Sequence, residues 1–227
     1  MISVATHLAD LNDRLDSAVR LVDETHKGVG TTGGSMVGPV SREARGLAVV
    51  LVFAAYENLL KSLTQTLLEG AIKCRVGNRR LQPTFQVFAF DSSLRSAMAV
   101  EGKDRYTKSL PRLVDTANMP GSRCSINPSS FPSDKSFMRA SQIQVWCDLF
   151  DVGDPAQLLP NIWSTVNTVV AQRNAIAHGQ KTPDEVGRTY TEQDSRDLIE
   201  AWRIDWSTFV THVGQLASTR DFYRTPR

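Results

Sequence analysis

Residues 169–180, VVAQRNAIAHGQ, place an arginine, an asparagine and a histidine at short spacing: Arg173, Asn174 and His178. A histidine can exchange protons near neutral pH. An arginine can bind the non-bridging oxygens of a phosphate and the charge that grows on them. The asparagine can orient the imidazole ring or donate to the phosphate. Together these residue types suit phosphodiester chemistry, with the neighbouring 2′-hydroxyl of RNA as the natural nucleophile.

The position of Arg173 within its helix is unusual. The pattern predicts a helix over residues 156–178 that Gly179 ends. At about 100° per residue, an apolar stripe follows one face of this helix: Ile162, Val166, Val169 and Ile176. Arg173 falls near the middle of that stripe, whereas Asn174 and His178 fall on its edge, one turn apart. A buried guanidinium without a partner is costly, so Arg173 needs either a carboxylate or a solvated cleft.

The best internal carboxylate for Arg173 is Glu57, a lone acid that follows the most apolar run of the chain, residues 47–56. That run is too short to span a bilayer and predicts the buried central helix of a bundle. We expect this helix to begin after Ser41, as its N-cap, and to end near residue 74. Of the two environments, we favour a solvated cleft, because a catalytic arginine must remain able to meet phosphate.

A short basic cluster ends the predicted central helix: Lys73, Arg75, Arg79 and Arg80. Cations are favourable at a helix C-terminus, and this structural interpretation is the preferred one. The functional interpretation is an RNA-binding cluster that contacts backbone phosphates.

Composition is that of an ordinary soluble globular protein: 227 residues, 41% of them hydrophobic and 22% charged. The net charge of +2 is too small to indicate nucleic-acid binding by itself. Three widely spaced cysteines, Cys74, Cys124 and Cys147, form no zinc or disulfide pattern. With no signal-peptide pattern at the N-terminus, we expect a cytoplasmic protein with no membrane partner, no metal and no cofactor.

The predicted fold is all-α, a single helical bundle of five to seven helices. No stretch alternates like a strand, and no repeat is present. Residues 1–40 are interpreted as an N-terminal helix and a Gly-rich connector, and residues 41–227 as the bundle, one domain overall. The connector, residues 28–39, lacks the GxxxxGK[ST] order of a phosphate loop. Residues 81–135 are the least legible part, with short helices and a Pro/Ser loop.

Similar residue types elsewhere are predicted to be structural. Arg20 and His26 have a spacing like that of the motif, but lack the asparagine and the Ala-His-Gly ending, and we expect them at a solvated helix end. Trp202, Trp206 and Phe209 follow helical spacing and are predicted to be core or dimer surface before base-stacking platforms.

RNAIAHG on a late bundle helix resembles the HEPN superfamily, and most closely its ribonuclease-type, RiboL-PSP-like branch. The upstream segment FAAYENLLKSL is similar to the central helix of such domains, where an acidic residue commonly lies near the active centre. The resemblance covers residues 41–217, and it is sharp at residues 173–179 and loose elsewhere.

The resemblance implies a metal-independent endoribonuclease, of a kind often found in toxin–antitoxin or anti-phage systems. In such domains two copies of the motif meet across a two-fold axis, so a homodimer is implied, with RNA as substrate and an antitoxin or other defence protein as a further partner. It implies that Arg173 and His178 are catalytic, that Asn174 supports them, and that Glu57 is accessory.

Two alternatives remain open. One is a non-catalytic HEPN-like module that binds RNA, a nucleotide or a protein. The other is a structural role, in which Arg173 pairs with Glu57 inside the bundle and His178 merely interacts with the negative end of its helix.

Overall fold

The computed structural model describes residues 3–26, 38–118, 121, 123–133 and 137–226. Most of the predicted connector therefore lies outside the described residues. Within them the chain forms nine α-helices: α1 (Ala5–His26), α2 (Pro39–Lys73), α3 (Pro83–Ala99), α4 (Leu110–Asn118), α5 (Ala140–Phe150), α6 (Pro155–Leu158), α7 (Val166–Ala177), α8 (Pro183–Gly187) and α9 (Glu192–Leu216). The described part contains no strand, so the all-α helical bundle is confirmed; α6 and α8 are single turns, and the other seven helices are longer.

Helix α2 is the centre of the bundle. It has buried residues around most of its circumference and packs against α1, α7, α8 and α9. By length and composition it is the one helix in the described ranges that could cross a membrane, but 56% of its most apolar window is buried inside the bundle. That burial is typical of the central helix of a soluble protein.

Helix α1 belongs to the same core as the rest of the bundle. Its apolar stripe is buried against α2 and α9: Leu11, Leu15, Ala18 and Val22. The predicted boundary at residue 40 falls inside α2, because that helix begins at Pro39, with Gly38 as the residue before it. Ser41 is therefore not the N-cap; its buried hydroxyl instead donates to the carbonyl oxygen of Thr25, at 2.7 Å.

The predicted motif helix over residues 156–178 is shorter in the structure. It is divided into α6 and α7 by turns that follow Pro160, a residue that disrupts a helix interior. The buried carboxylate of Asp205 on α9 accepts the backbone N–H groups of Asn161 and Ile162, at 2.8 and 3.1 Å, and so anchors these turns. The predicted end at Gly179 is confirmed, since this glycine has a left-handed φ of 67°.

The segment after the motif is held tightly against α2 by two glycines. A Cβ on Gly46 would lie 2.0 Å from the carbonyl oxygen of Pro183, and a Cβ on Gly187 would lie 1.7 Å from that of Arg42. No side chain fits at either position, so α8 contacts the backbone of α2 directly. This contact fixes where the chain goes after α7.

Aromatic residues fill the centre of the core. The rings of Tyr56 and Trp206 stack with centroids 5.5 Å apart, and Phe209 packs edge-on against Trp206. Trp202, Trp206 and Phe209 are fully buried, which confirms their predicted place in the core. Within residues 81–135, where short helices were expected, α3 is one continuous helix of 17 residues.

Candidate functional site

Arg173 lies where α7 packs against α2. Its guanidinium carbon is 4.5 Å from the centroid of the Phe53 ring, which is a cation–π contact. The Nη1 group of Arg173 donates to Oδ1 of Asn174 at 2.9 Å. The ring below and the amide beside it thus fix the direction of a half-buried guanidinium. The amide nitrogen of Asn174 has no hydrogen-bond partner among the described residues, and it can donate to a ligand.

Arg173 forms part of the wall of a cavity of about 260 Å³. Phe53, Glu57 and Lys61 line it from α2, at the i, i+4, i+8 spacing of one helix face. Residues that precede α5 also line it, among them Phe131, Phe137 and Met138. The cavity therefore combines aromatic surface with two cations and one carboxylate.

Glu57 does not neutralise Arg173. Its carboxylate instead accepts from Nζ of Lys61 at 2.7 Å, one turn further along α2. Arg173 makes no ion pair within the described part of the chain. Of the two environments considered for this arginine, the structure shows an aromatic platform beside an open cavity and no buried Arg173–Glu57 pair.

The structure does not bring His178 to this cavity. His178 follows the last residue of α7, is exposed, and its ring makes no hydrogen bond to any residue that the structure describes. Five residues along a helix correspond to a rotation of about 140°, so Arg173 faces α2 whereas His178 faces solvent. Within one chain, therefore, Arg173 and His178 face in different directions, although the predicted chemistry needs both of them at one phosphate.

The basic cluster is also remote from Arg173. Lys73 is twenty residues after Phe53 in α2, which corresponds to about 30 Å along the helix axis. Arg75 and Arg79 are exposed, while Arg80 donates to the carbonyl oxygen of Thr225 at 3.2 Å. Lys73, Arg75, Arg79 and Arg80 thus form a separate surface at the far end of α2.

The other histidines have structural partners. His26 is the last residue of α1, as expected of a helix end, but it is half-buried and its Nε2 receives a hydrogen bond from the buried Arg45, at 3.1 Å. His7 lies between the hydroxyls of Ser62 and Thr66, at 3.1 and 3.0 Å. Within the described ranges, no three His, Cys, Asp or Glu side chains are grouped so that they could hold a metal ion.

Sequence reasoning missed the aromatic part of the site. Phe53 stands one turn before Glu57 in the same apolar run, and this spacing could have identified it as a neighbour of Glu57. Phe137 carries no such signal, because its position depends on a loop conformation that periodicity does not describe.

No protein-family model matches the chain, and no curated protein or solved structure is detectably similar to it. The residues and their geometry therefore carry the functional argument alone.

Proposed function

We propose that this protein is a metal-independent endoribonuclease of the HEPN type, acting as a homodimer in a toxin–antitoxin or anti-phage setting. The observation that carries the proposal is the state of Arg173. A half-buried guanidinium sits on the Phe53 ring at the edge of a cavity, with no carboxylate to neutralise it among the described residues. Such a cation is oriented in advance for an anionic ligand, and a phosphodiester is the ligand that the adjacent Asn174 and His178 suit.

In the proposed reaction, the 2′-hydroxyl oxygen of RNA attacks the adjacent phosphorus. A histidine at position 178 accepts the proton of that hydroxyl. Arg173 stabilises the charge on the non-bridging oxygens as the pentacoordinate phosphate forms. The bond from phosphorus to the 5′-oxygen then breaks, and the leaving oxygen takes its proton from the imidazolium of His178. The products are a 2′,3′-cyclic phosphate and a 5′-hydroxyl.

The separation of Arg173 from His178 within one chain supports a composite site. A two-fold axis beside α7 can place His178 of one protomer near Arg173 of the other. The outward face of α7 has small exposed side chains, Thr168 and Ala171, which let a second helix approach closely.

The test is cleavage of total RNA by the purified protein in EDTA. We expect cleavage to persist, to give cyclic-phosphate ends, and to fall by at least ~10²-fold in His178→Ala and in Arg173→Lys. Lysine keeps the charge but lacks the planar fork that binds phosphate oxygens. Arg14→Lys, on the exposed face of α1, is the matched control and should cut normally. Cleavage that stops on chelation and returns with magnesium would contradict the proposal.

The same separation favours a second candidate, a non-catalytic module that binds RNA, a nucleotide or a protein through Arg173 alone. In that case the cavity would hold an anion with no histidine nearby to accept the proton of a 2′-hydroxyl. RNA that is bound but remains uncut at every protein concentration, with equal affinity in His178→Ala, would support this second function.

A further inference from the structure

We propose that Phe137 is a base-stacking residue, and that with Arg173 it forms a nucleotide subsite in which the guanidinium holds a phosphate and the exposed ring holds the neighbouring base. The proposal rests on the proposed function, since it assigns a base-binding group to the same site. Phe137 is the most exposed large apolar residue in the described part of the chain, at 73%, and it lines the cavity that Arg173 lines.

An exposed phenyl ring is by itself ordinary. The backbone sets Phe137 apart. Phe137 and Met138 both have left-handed φ angles, 55° and 67°, a region that bulky residues other than glycine rarely adopt. Strained conformations of this kind persist only where the surrounding structure enforces them, and they are concentrated at functional sites.

Two buried polar side chains enforce this conformation. The hydroxyl of Tyr56 donates to the carbonyl oxygen of Met138 at 2.8 Å, while the Tyr56 ring is fixed by stacking on Trp206. The side-chain amide of the buried Gln142, on α5, donates to the carbonyl oxygen of Pro132, which precedes this pair in the chain. Met138 itself is buried, so it anchors the strained pair while Phe137 points outward. The backbone beside Phe137 is thus held at the edge of the cavity.

The chemistry of the cavity favours a nucleotide over an apolar peptide. The side chains that can meet a ligand include a stacked guanidinium, a Lys61–Glu57 ion pair and two phenylalanine rings, Phe131 and Phe137. Arg173 leaves one positive charge in the cavity unbalanced. Cations that track the phosphates together with aromatic rings that stack on bases are the combination by which proteins bind single-stranded nucleic acid.

The test measures binding without cleavage. The probe is a fluorescent single-stranded oligonucleotide with 2′-O-methyl groups throughout, which cannot supply the attacking hydroxyl, and the readout is anisotropy with full-length protein. We expect Phe137→Ala to weaken binding by about 5-fold to 100-fold, and Phe137→Trp to retain it. Tyr106→Ala is the matched control, because Tyr106 is an equally exposed aromatic residue, at 69%, and lies outside this cavity.

Salt dependence separates stacking from phosphate binding. Phe137→Ala should leave the dependence of affinity on salt unchanged, whereas Arg173→Gln should make it shallower by one phosphate contact. A series of probes should also be compared, each lacking the base at a different position of the strand. The probe that lacks the base stacked on Phe137 should bind wild type and Phe137→Ala equally.

The outcomes distinguish this proposal from the ribonuclease. Loss of binding in Phe137→Ala without any RNA cleavage would support the subsite and overturn the enzyme. Normal cleavage and binding in Phe137→Ala would overturn the subsite and leave the enzyme standing. No binding of the probe by wild type, or an equal loss in Tyr106→Ala, would also overturn the subsite.

Discussion

The guanidinium of Arg173 rests on the ring of Phe53, with 4.5 Å between its central carbon and the ring centroid. Phe53 is 2% exposed and fixed in the core, where it packs edge-on against Tyr56 at 5.2 Å. The arginine therefore takes its direction from a rigid aromatic platform. We therefore expect removal of the Phe53 ring to reduce activity by more than the accompanying loss of stability explains.

Phe53→Leu should lower activity more than stability explains. Removing the ring costs about 1–2 kcal/mol of packing and withdraws a cation–π contact of about 1 kcal/mol from Arg173. Phe209→Leu is the control, because it makes a comparable change in the core without touching Arg173. Denaturant unfolding should show similar losses of stability in the two variants. RNA cleavage should be reduced in Phe53→Leu and normal in Phe209→Leu. Equal cleavage by both variants would show that the platform has no function.

Glu57→Gln should change the melting temperature very little. Glu57 pairs with Lys61 near the surface, and an i, i+4 pair of this kind contributes only about 0.3–0.5 kcal/mol. Activity should change, because Glu57→Gln removes a negative charge from the cavity that Arg173 lines. Asp205→Asn makes the same chemical change at a buried carboxylate that accepts three hydrogen bonds, and should cost about 2 kcal/mol or more. A large thermal shift in Glu57→Gln would show that Glu57 supports the fold through Arg173 after all.

Stability should decrease as the pH falls below about 6.5 because of His7. Burial between α1 and α2 lowers the pKa of His7 from its ordinary value of 6.5, with Asp10 opposing the shift. Above pH 6.5 both the folded and the unfolded states keep this ring neutral. Below it, the unfolded chain binds a proton before the folded one does, and unfolding becomes more favourable until the lower, folded-state pKa is passed.

The variant His7→Asn isolates this effect. Unfolding free energies measured between pH 7.5 and 5 at about 0.15 M salt should fall less steeply in the variant than in wild type. Parallel curves would show that other groups cause the acid sensitivity.

Much of the fold could be predicted from sequence, because long helices that bury one face have apolar residues at a regular helical spacing. The apolar run before Glu57 predicts the buried centre of α2. Thr191 and Asp194, which form a capping box, mark the start of α9. The division of the motif helix was missed, because the apolar stripe already begins at Ile162, within the turns that precede α7, so its periodicity does not show where the helix starts. The site was predicted only in part. Residue type singles out Arg173, but its contact with Phe53 and the strained backbone at Phe137 depend on tertiary packing.

A dimer is expected at the concentrations at which the protein cuts RNA. The reason is that Arg173 and His178 lie apart within one chain. A two-fold axis beside α7 would bring Arg173 of one protomer close to His178 of the other. Sedimentation velocity at micromolar concentration should give twice the mass of the 25.1 kDa chain. Replacing Ala171 with arginine on the outward face of α7 should give monomers that stay folded and do not cut. A wild-type protein that remains monomeric while it cuts RNA would remove the reason for a shared site.

The most direct test of the shared site is complementation between two inactive variants in EDTA. Arg173→Gln and His178→Ala protein are each assayed alone, then mixed and allowed to exchange subunits. If Arg173 of one protomer acts with His178 of the other, a mixed dimer has one site with both residues intact, and roughly a quarter of wild-type cleavage should return. If both residues act from the same chain, or if neither acts on RNA, the mixture will be as inactive as its components, and the composite ribonuclease site will be contradicted.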